Sequence, residues 1–223
     1  MKVVIFGATG MVGQSALRES LLAADVELVQ TVGRIATGVN HPKLKEVVLP
    51  DLFNLSEAEP GLTGFDACFF CVGVTSAGLN EETYTRLTLT LTTSVAQALA
   101  QLNPGMTFVY VSGSGTDSSE RGRSMWARVK GRTENLLLRT PFRAAYMFRP
   151  GFIVPLDGIQ SKTRSYRIFY WFLTPILPLL HWAFPKSILT TRELGEAMLI
   201  VARRGAPKTV LETEDLRQLL GNS

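Results

Sequence analysis

Three closely spaced glycines near the start of the chain carry its clearest chemical signal. Gly7-Ala8-Thr9-Gly10-Met11-Val12-Gly13 follows an apolar, β-branched run, Lys2-Val3-Val4-Ile5-Phe6, and leads into Ser15-Ala16-Leu17-Arg18-Glu19-Ser20-Leu21-Leu22, which reads as helix. Gly7 lets the chain turn sharply off the strand. Gly10, lacking a Cβ, lets the backbone approach a pyrophosphate, and Gly13 lets the helix pack closely. The free N–H groups of the helix start then face the anion, with Thr9, Met11 and Val12 in the cradle. Strand, glycine turn and helix in this order predict dinucleotide binding; the plainer alternative is a tight turn that holds nothing.

The second candidate is Arg34. A second strand over Val26–Val32 ends at Gly33-Arg34, where an NAD site usually places Asp or Glu for the ribose 2′-hydroxyl. A guanidinium there matches a 2′-phosphate by charge and fork geometry, so NADP(H) is favoured over NAD. The alternative is a solvated surface arginine.

The elements that must position these groups alternate along the chain. Glu46–Leu49 reads as a third strand, Asp66–Val72 as a fourth, Met106–Val111 as a fifth and Ala144–Phe148 as a sixth. Between them, Asn80 caps a helix with Glu81 and Glu82 in its first turn. Leu87–Thr92 alternates like a strand, yet Tyr84, Leu87, Leu91, Val95, Ala98 and Leu102 keep helical spacing, and a parallel neighbour needs a crossover. The spacing predicts helix there and over Ser124–Leu138. Alternating strands and helices imply an α/β fold, a Rossmann-type doubly wound parallel sheet with helices on both faces. Ligands then sit at the carboxyl ends of the strands, where Gly7, Arg34, Asp51, Gly73, Ser112 and Arg149 fall.

Composition sets the remaining bounds. A chain of 223 residues, 46% hydrophobic and 19% charged, suits one globular domain. Met1 leads directly into the first strand, without signal-peptide zones, which points to the cytoplasm. Cys68 and Cys71 fall three apart on a buried strand, with side chains toward opposite faces, and read as free thiols. With only His41 and His181 besides, no metal set assembles. The net charge is +4, with many of the cations between 121 and 143. Stacking aromatics are sparse there and no reader motif appears, so a nucleic-acid partner is not expected.

With these motifs in place, the chain resembles the short-chain dehydrogenase/reductase superfamily. It is most similar to the small, atypical, NAD-dependent epimerase/dehydratase-like members and the Tat-interacting-protein-like oxidoreductases. The resemblance runs from the glycine turn through Val111-Ser112-Gly113-Ser114 and Val129-Lys130-Gly131 to Phe148-Arg149-Pro150-Gly151. It implies that Asp51, with Leu52, lies near the adenine. It implies too that Cys71, Val72 and Gly73 line the cofactor cleft, and that the Arg149-Pro150-Gly151 turn approaches the nicotinamide.

The family's catalytic pair is Tyr-x-x-x-Lys, one helix face carrying both side chains. The lysine holds the nicotinamide ribose and lowers the tyrosine's pKa, so the phenol exchanges a proton with substrate. Here the segment is Trp126-Ala127-Arg128-Val129-Lys130. Lys130 is in place, but Trp126 stands where the tyrosine belongs, and an indole N–H is no usable acid or base. Ser112, Ser114 or Thr116 could supply the hydroxyl partner. Trp126 reads equally as a packed aromatic or as a substrate-facing ring. Two functions follow: an NADP-dependent oxidoreductase or epimerase-like enzyme for an apolar small molecule, or a non-catalytic NADP(H)-binding redox sensor or partner-binding module.

Residues 152–190 read as an insertion on the substrate side. Its run 166–185 is apolar and aromatic but interrupted by Pro175 and Pro178, too short for a span. An apolar lid or a homodimer face is preferred to membrane-surface contact, although Lys162, Arg164 and Arg167 precede it. Thr190-Thr191-Arg192-Glu193 forms a capping box for a further helix, Lys208–Leu211 adds a last strand, and Thr213 begins a terminal helix.

Overall fold

The computed structural model describes residues 1–55, 58–159 and 188–221. Seven parallel strands form the main sheet: β1 (Lys2–Phe6), β2 (Leu28–Gly33), β3 (Leu44–Val48), β4 (Ala67–Phe70), β5 (Thr107–Val111), β6 (Ala144–Arg149) and, last in sequence, β9 (Val210–Glu212). Their spatial order is β3-β2-β1-β4-β5-β6-β9. The first strand is therefore interior, and the chain runs outward from it in both directions. That is the switch point of a doubly wound fold, where helices leave a crevice open. Phe6 is level with Val32 of β2 and Phe70 of β4, so Gly7, Gly33 and Cys71 emerge side by side at the carboxyl ends.

Period-two alternation in strands covered on both faces explains the two cores. Val3 and Ile5 face α1 (Met11–Leu22) and α5 (Thr191–Arg204), while Val4 and Phe6 face α3 (Leu91–Leu102) and the end of α4 (Met125–Leu137). On the second face an aromatic row crosses the sheet. Phe6 stacks on Phe70 at 5.7 Å, Phe70 on Phe108 at 5.9 Å, and Phe108 on Phe142 at 4.8 Å.

The helix starts follow their caps. Asn80 Oδ1 accepts from Thr83 N at 2.8 Å, opening α2 (Glu81–Thr85). Thr190 and Glu193 form the reciprocal capping box that opens α5. A terminal helix, α6, runs over Thr213–Gly221. Leu87–Thr92 is helical, as its longer periodicity requires, but Arg86–Thr90 forms a wide π-helical turn between α2 and α3. There Thr88 is buried in place of Leu87, Leu91 is buried as its spacing requires with Thr92 beside it, and the Thr92 and Thr93 hydroxyls donate back to the Thr88 and Leu89 carbonyls.

A second, two-stranded parallel sheet was not legible in the sequence: β7 (Phe152–Val154) pairs with β8 (Ile188–Thr190). It brings together the two ends of the stretch 152–190 that the sequence led us to expect as an insertion. The expectations for the apolar run 166–185 fall on residues outside those described. Among the described residues, no helix is long and apolar enough to cross a membrane.

Candidate active site

The carboxyl ends of β1, β2, β4 and β5 open on a cleft of about 890 Å³. Its lining takes in Gly7 to Val12, Val32 to Ile35, Leu52, Cys71 to Gly73, Val111 to Gly113, Lys130 and Pro150 to Ile153. The glycine turn forms its floor. Gly7 has φ +79°, and a Cβ there would lie 2.8 Å from the backbone of Cys71 and Val72. Only glycine meets both demands. Gly10 caps α1 with extended backbone and no side-chain cap bond, and the first turn of α1 holds no acid. The amides of Met11 and Val12 are therefore offered to the cleft, on the positive end of the helix dipole.

Arg34 and Lys130 are the two cations on this lining, and no carboxylate lies on it among the described residues. Arg34 is exposed at the end of β2, with no hydrogen bond or ion pair to another described residue. Lys130 stands on α4 and its Nζ donates to the Ser112 carbonyl. Burial pushes its pKa down from 10.5 to about 8, against the upward pull of Glu134. Cys71 also lines the cleft, its thiol pushed up to about 12 by burial; it and Cys68 are free thiols, as expected. The described residues hold no group of His, Cys, Asp and Glu suited to a metal.

Several expected site residues sit elsewhere. Gly13 does not line the cleft. A Cβ on it would fall 2.1 Å from the Gly7 carbonyl oxygen, so its role is to let α1 begin directly against the turn. Asp51 is exposed and its Oδ1 accepts from Phe53 N at 2.9 Å, folding its own turn; its neighbour Leu52 reaches the lining. Ser114 is exposed and lies off the lining. Trp126 is half-buried and also off it; its ring packs over Gly115, 3.5 Å from where a Cβ would stand. Thr116 donates to the Gly113 carbonyl at 2.7 Å.

Arg149 is the largest departure. Its turn neighbours Pro150 and Gly151 line the cleft, but its guanidinium points into the protein. Nε meets Glu134 Oε1 at 3.0 Å, Nη2 meets Glu134 Oε2, and Nη1 meets Glu212 Oε1 at 3.2 Å. Glu134 is fully buried, and its Oε1, which Arg149 Nε also reaches, accepts from the Ser112 hydroxyl. An arginine at the end of an interior strand stays charged only beside a carboxylate. Glu134 was missed in the sequence; its position four residues after Lys130, on one helix face, was the available signal.

No protein-family model and no curated protein sequence matches the chain. Solved structures do match it. The dTDP-glucose 4,6-dehydratase DesIV from Streptomyces venezuelae, with NAD and TYD bound, superposes with TM-score 0.70 at 16% identity, over 100% of this chain and 80% of that one. The Bordetella bronchiseptica enzyme WbmF in complex with NAD+ gives 0.67 at 14% identity, over 97% and 76%. A short chain dehydrogenase family protein from Francisella tularensis gives 0.64 at 13%, over 92% and 91%. At such identities the likeness is one of fold: the Rossmann-type α/β architecture of dehydrogenases, epimerases and dehydratases.

Proposed function

We propose that the chain binds a nicotinamide dinucleotide in this cleft, NADP(H) in preference to NAD, and serves a cytoplasmic oxidoreductase or epimerase-like reaction on an apolar small molecule. The observation that carries the reading is a cleft built on a glycine turn, with two cations and no carboxylate on its described lining. The residues fit the group. The Met11 and Val12 amides would hold the pyrophosphate, Arg34 a 2′-phosphate, and Lys130 the nicotinamide ribose. Structural neighbours carry NAD, so the preference for NADP(H) rests on Arg34 alone.

The cofactor, when bound, supplies hydride chemistry. The chain's own part is to bind, to orient and to handle a proton. Lys130 can hold or release one near neutral pH, since burial has brought its pKa down. The Ser112 hydroxyl is committed to Glu134, and Trp126 packs on Gly115. Those two positions favour a second reading, a non-catalytic NADP(H)-binding sensor.

The test is to titrate the protein with NADPH, then to assay NADPH oxidation by wild type and Trp126→Tyr across apolar aldehydes and ketones. Weak turnover by wild type with a gain in Trp126→Tyr supports the enzyme reading. Tight binding with no turnover in either supports the sensor. No binding refutes both.

A further inference from the structure

The buried carboxylate of Glu134 is the one anion at the centre of a knot that joins five parts of the chain. It accepts from the Ser112 hydroxyl at the end of β5 and from Arg149 at the end of β6. Arg149 in turn donates to Ser118 Oγ in the loop before α4 and to Glu212 at the end of β9. Lys130, one helical turn before Glu134, binds the carbonyl of the same Ser112. Glu134 is fully buried, whereas Lys130 reaches the cleft.

We propose that Glu134 is a positioning residue for the cleft: by holding the Ser112 hydroxyl and Arg149 it fixes the Ser112 carbonyl, and through that carbonyl the place and charge of the Lys130 ammonium. The proposal rests on the reading of the cleft as a dinucleotide site. Besides its N–H bond to the Phe148 carbonyl at 2.9 Å, which its hydroxyl also approaches at 3.1 Å, Ser112 has its hydroxyl tied inward to Glu134 and its carbonyl tied outward to Lys130. Rotation of the β5 end would break both at once. Charge acts in the same direction. Lys130 is opposed by its own burial and supported by Glu134. Among the described residues, the other ionisable groups around this part of α4 include Arg149, Glu212, Tyr110, Tyr84 and Cys71, and Arg128 is paired with Glu81 at 2.7 Å. Arg149 is held charged by Glu134 and Glu212, and burial holds the two phenols and the thiol protonated. Glu134 is thus the buried anion that offsets the ammonium.

The experiment reads Lys130 without ligand. Trace acetylation by acetic anhydride, followed by peptide mass spectrometry, reports the neutral amine as a function of pH. It is run on wild type, Glu134→Gln and Glu134→Asp, each first shown folded by circular dichroism. Glu134→Gln keeps an acceptor but loses the charge, so Lys130 labels about fivefold faster at pH 7, its profile displaced to lower pH. Glu134→Asp keeps the charge but withdraws it, so the displacement is smaller. NADPH affinity in Glu134→Gln falls by about tenfold, the scale of one lost hydrogen bond. Where Glu134→Gln does not fold, Ser112→Ala replaces it: loss of the tether weakens NADPH binding by a similar factor. A folded Glu134→Gln protein with the wild-type labelling profile overturns the proposal, as does wild-type affinity in Ser112→Ala. Failure of wild type to bind NADPH refutes the dinucleotide reading instead, and leaves the labelling comparison to judge Glu134.

Discussion

Two glycines in the same turn should fail in opposite ways, and the space around each sets the sizes. A Cβ on Gly13 would stand 2.1 Å from the Gly7 carbonyl oxygen and 2.7 Å from Ala8 Cα, both backbone atoms that cannot swing aside. Gly13→Ala gains about 1 kcal/mol of helix propensity. Against that stands an overlap of a kind that costs about 1–3 kcal/mol or more. At so short a distance the upper part of that range applies, leaving a net loss of about 2 kcal/mol. In a chain of this length that lowers the Tm by about 5 °C. A Cβ on Gly10 meets only the Gly7 carbonyl, at 3.5 Å, which is ordinary contact. Its backbone, φ −80° and ψ 163°, suits a β-branched residue. Gly10→Val should therefore lose no more than about 1 kcal/mol as a poorer cap. Its branched side chain would occupy the space needed by a pyrophosphate, weakening NADPH by at least about a hundredfold. Thermal unfolding and fluorescence titration of both variants make the comparison. A Gly13→Ala protein as stable as wild type would show that the close approach is not there. A folded Gly10→Val protein with wild-type affinity would show that the ligand lies elsewhere.

Arg34→Ala should weaken NADPH by on the order of ten- to a hundredfold while leaving NADH nearly unchanged; equal affinity of wild type for the two cofactors sinks the assignment. The pKa of Lys130 is lower folded than unfolded, so the unfolded chain binds more protons between pH 8 and 10.5 and stability rises with pH through that window. Relative to Lys130→Met, wild type should gain at most about 3 kcal/mol between pH 7.5 and 10.5 in urea unfolding; a difference that stays flat refutes the burial of the ammonium. Arg149→Met strands the buried Glu134 and should cost about 3–5 kcal/mol, whereas the double variant Glu134→Leu/Arg149→Met should recover much of it; additive losses would show that the two do not form a pair.

The sheet and the glycine turn were legible because both are local. Val3 to Phe6 need only be apolar and β-branched, and Gly7 to Gly13 need only a strand before and a helix after. Arg34 and the Pro150-Gly151 turn reach the cleft because strand ends converge at the switch point whatever their side chains, and Lys130 reaches it from α4. What failed was side-chain direction. The sequence shows that Ser112 and Arg149 end neighbouring strands, but not that Glu134 on α4 comes between them. That depends on how α4 sits. A Cβ on Gly131 would run into the Asp117 carbonyl, so α4 lies directly on the loop that precedes it. Such close approaches join residues distant in the chain and leave no periodic trace. The same holds for β7 and β8, three residues each and separated by a long stretch of sequence.

The packing of α1 against α5 bears on the order in which the protein can be completed. Gly195 leaves room for the Ser15 backbone and Glu19 side chain, and the Ser15 hydroxyl donates to the Thr191 carbonyl. The helix that presents the phosphate cradle is thus braced by a segment made some 176 residues later. A nascent chain that has finished β6 already holds Gly7 to Val12, Arg34 and Lys130, yet one face of α1 has nothing to lie against. The growing polypeptide should acquire dinucleotide affinity late, once α5 has been made. A truncation ending at residue 159 should keep those contact residues and still fail to bind.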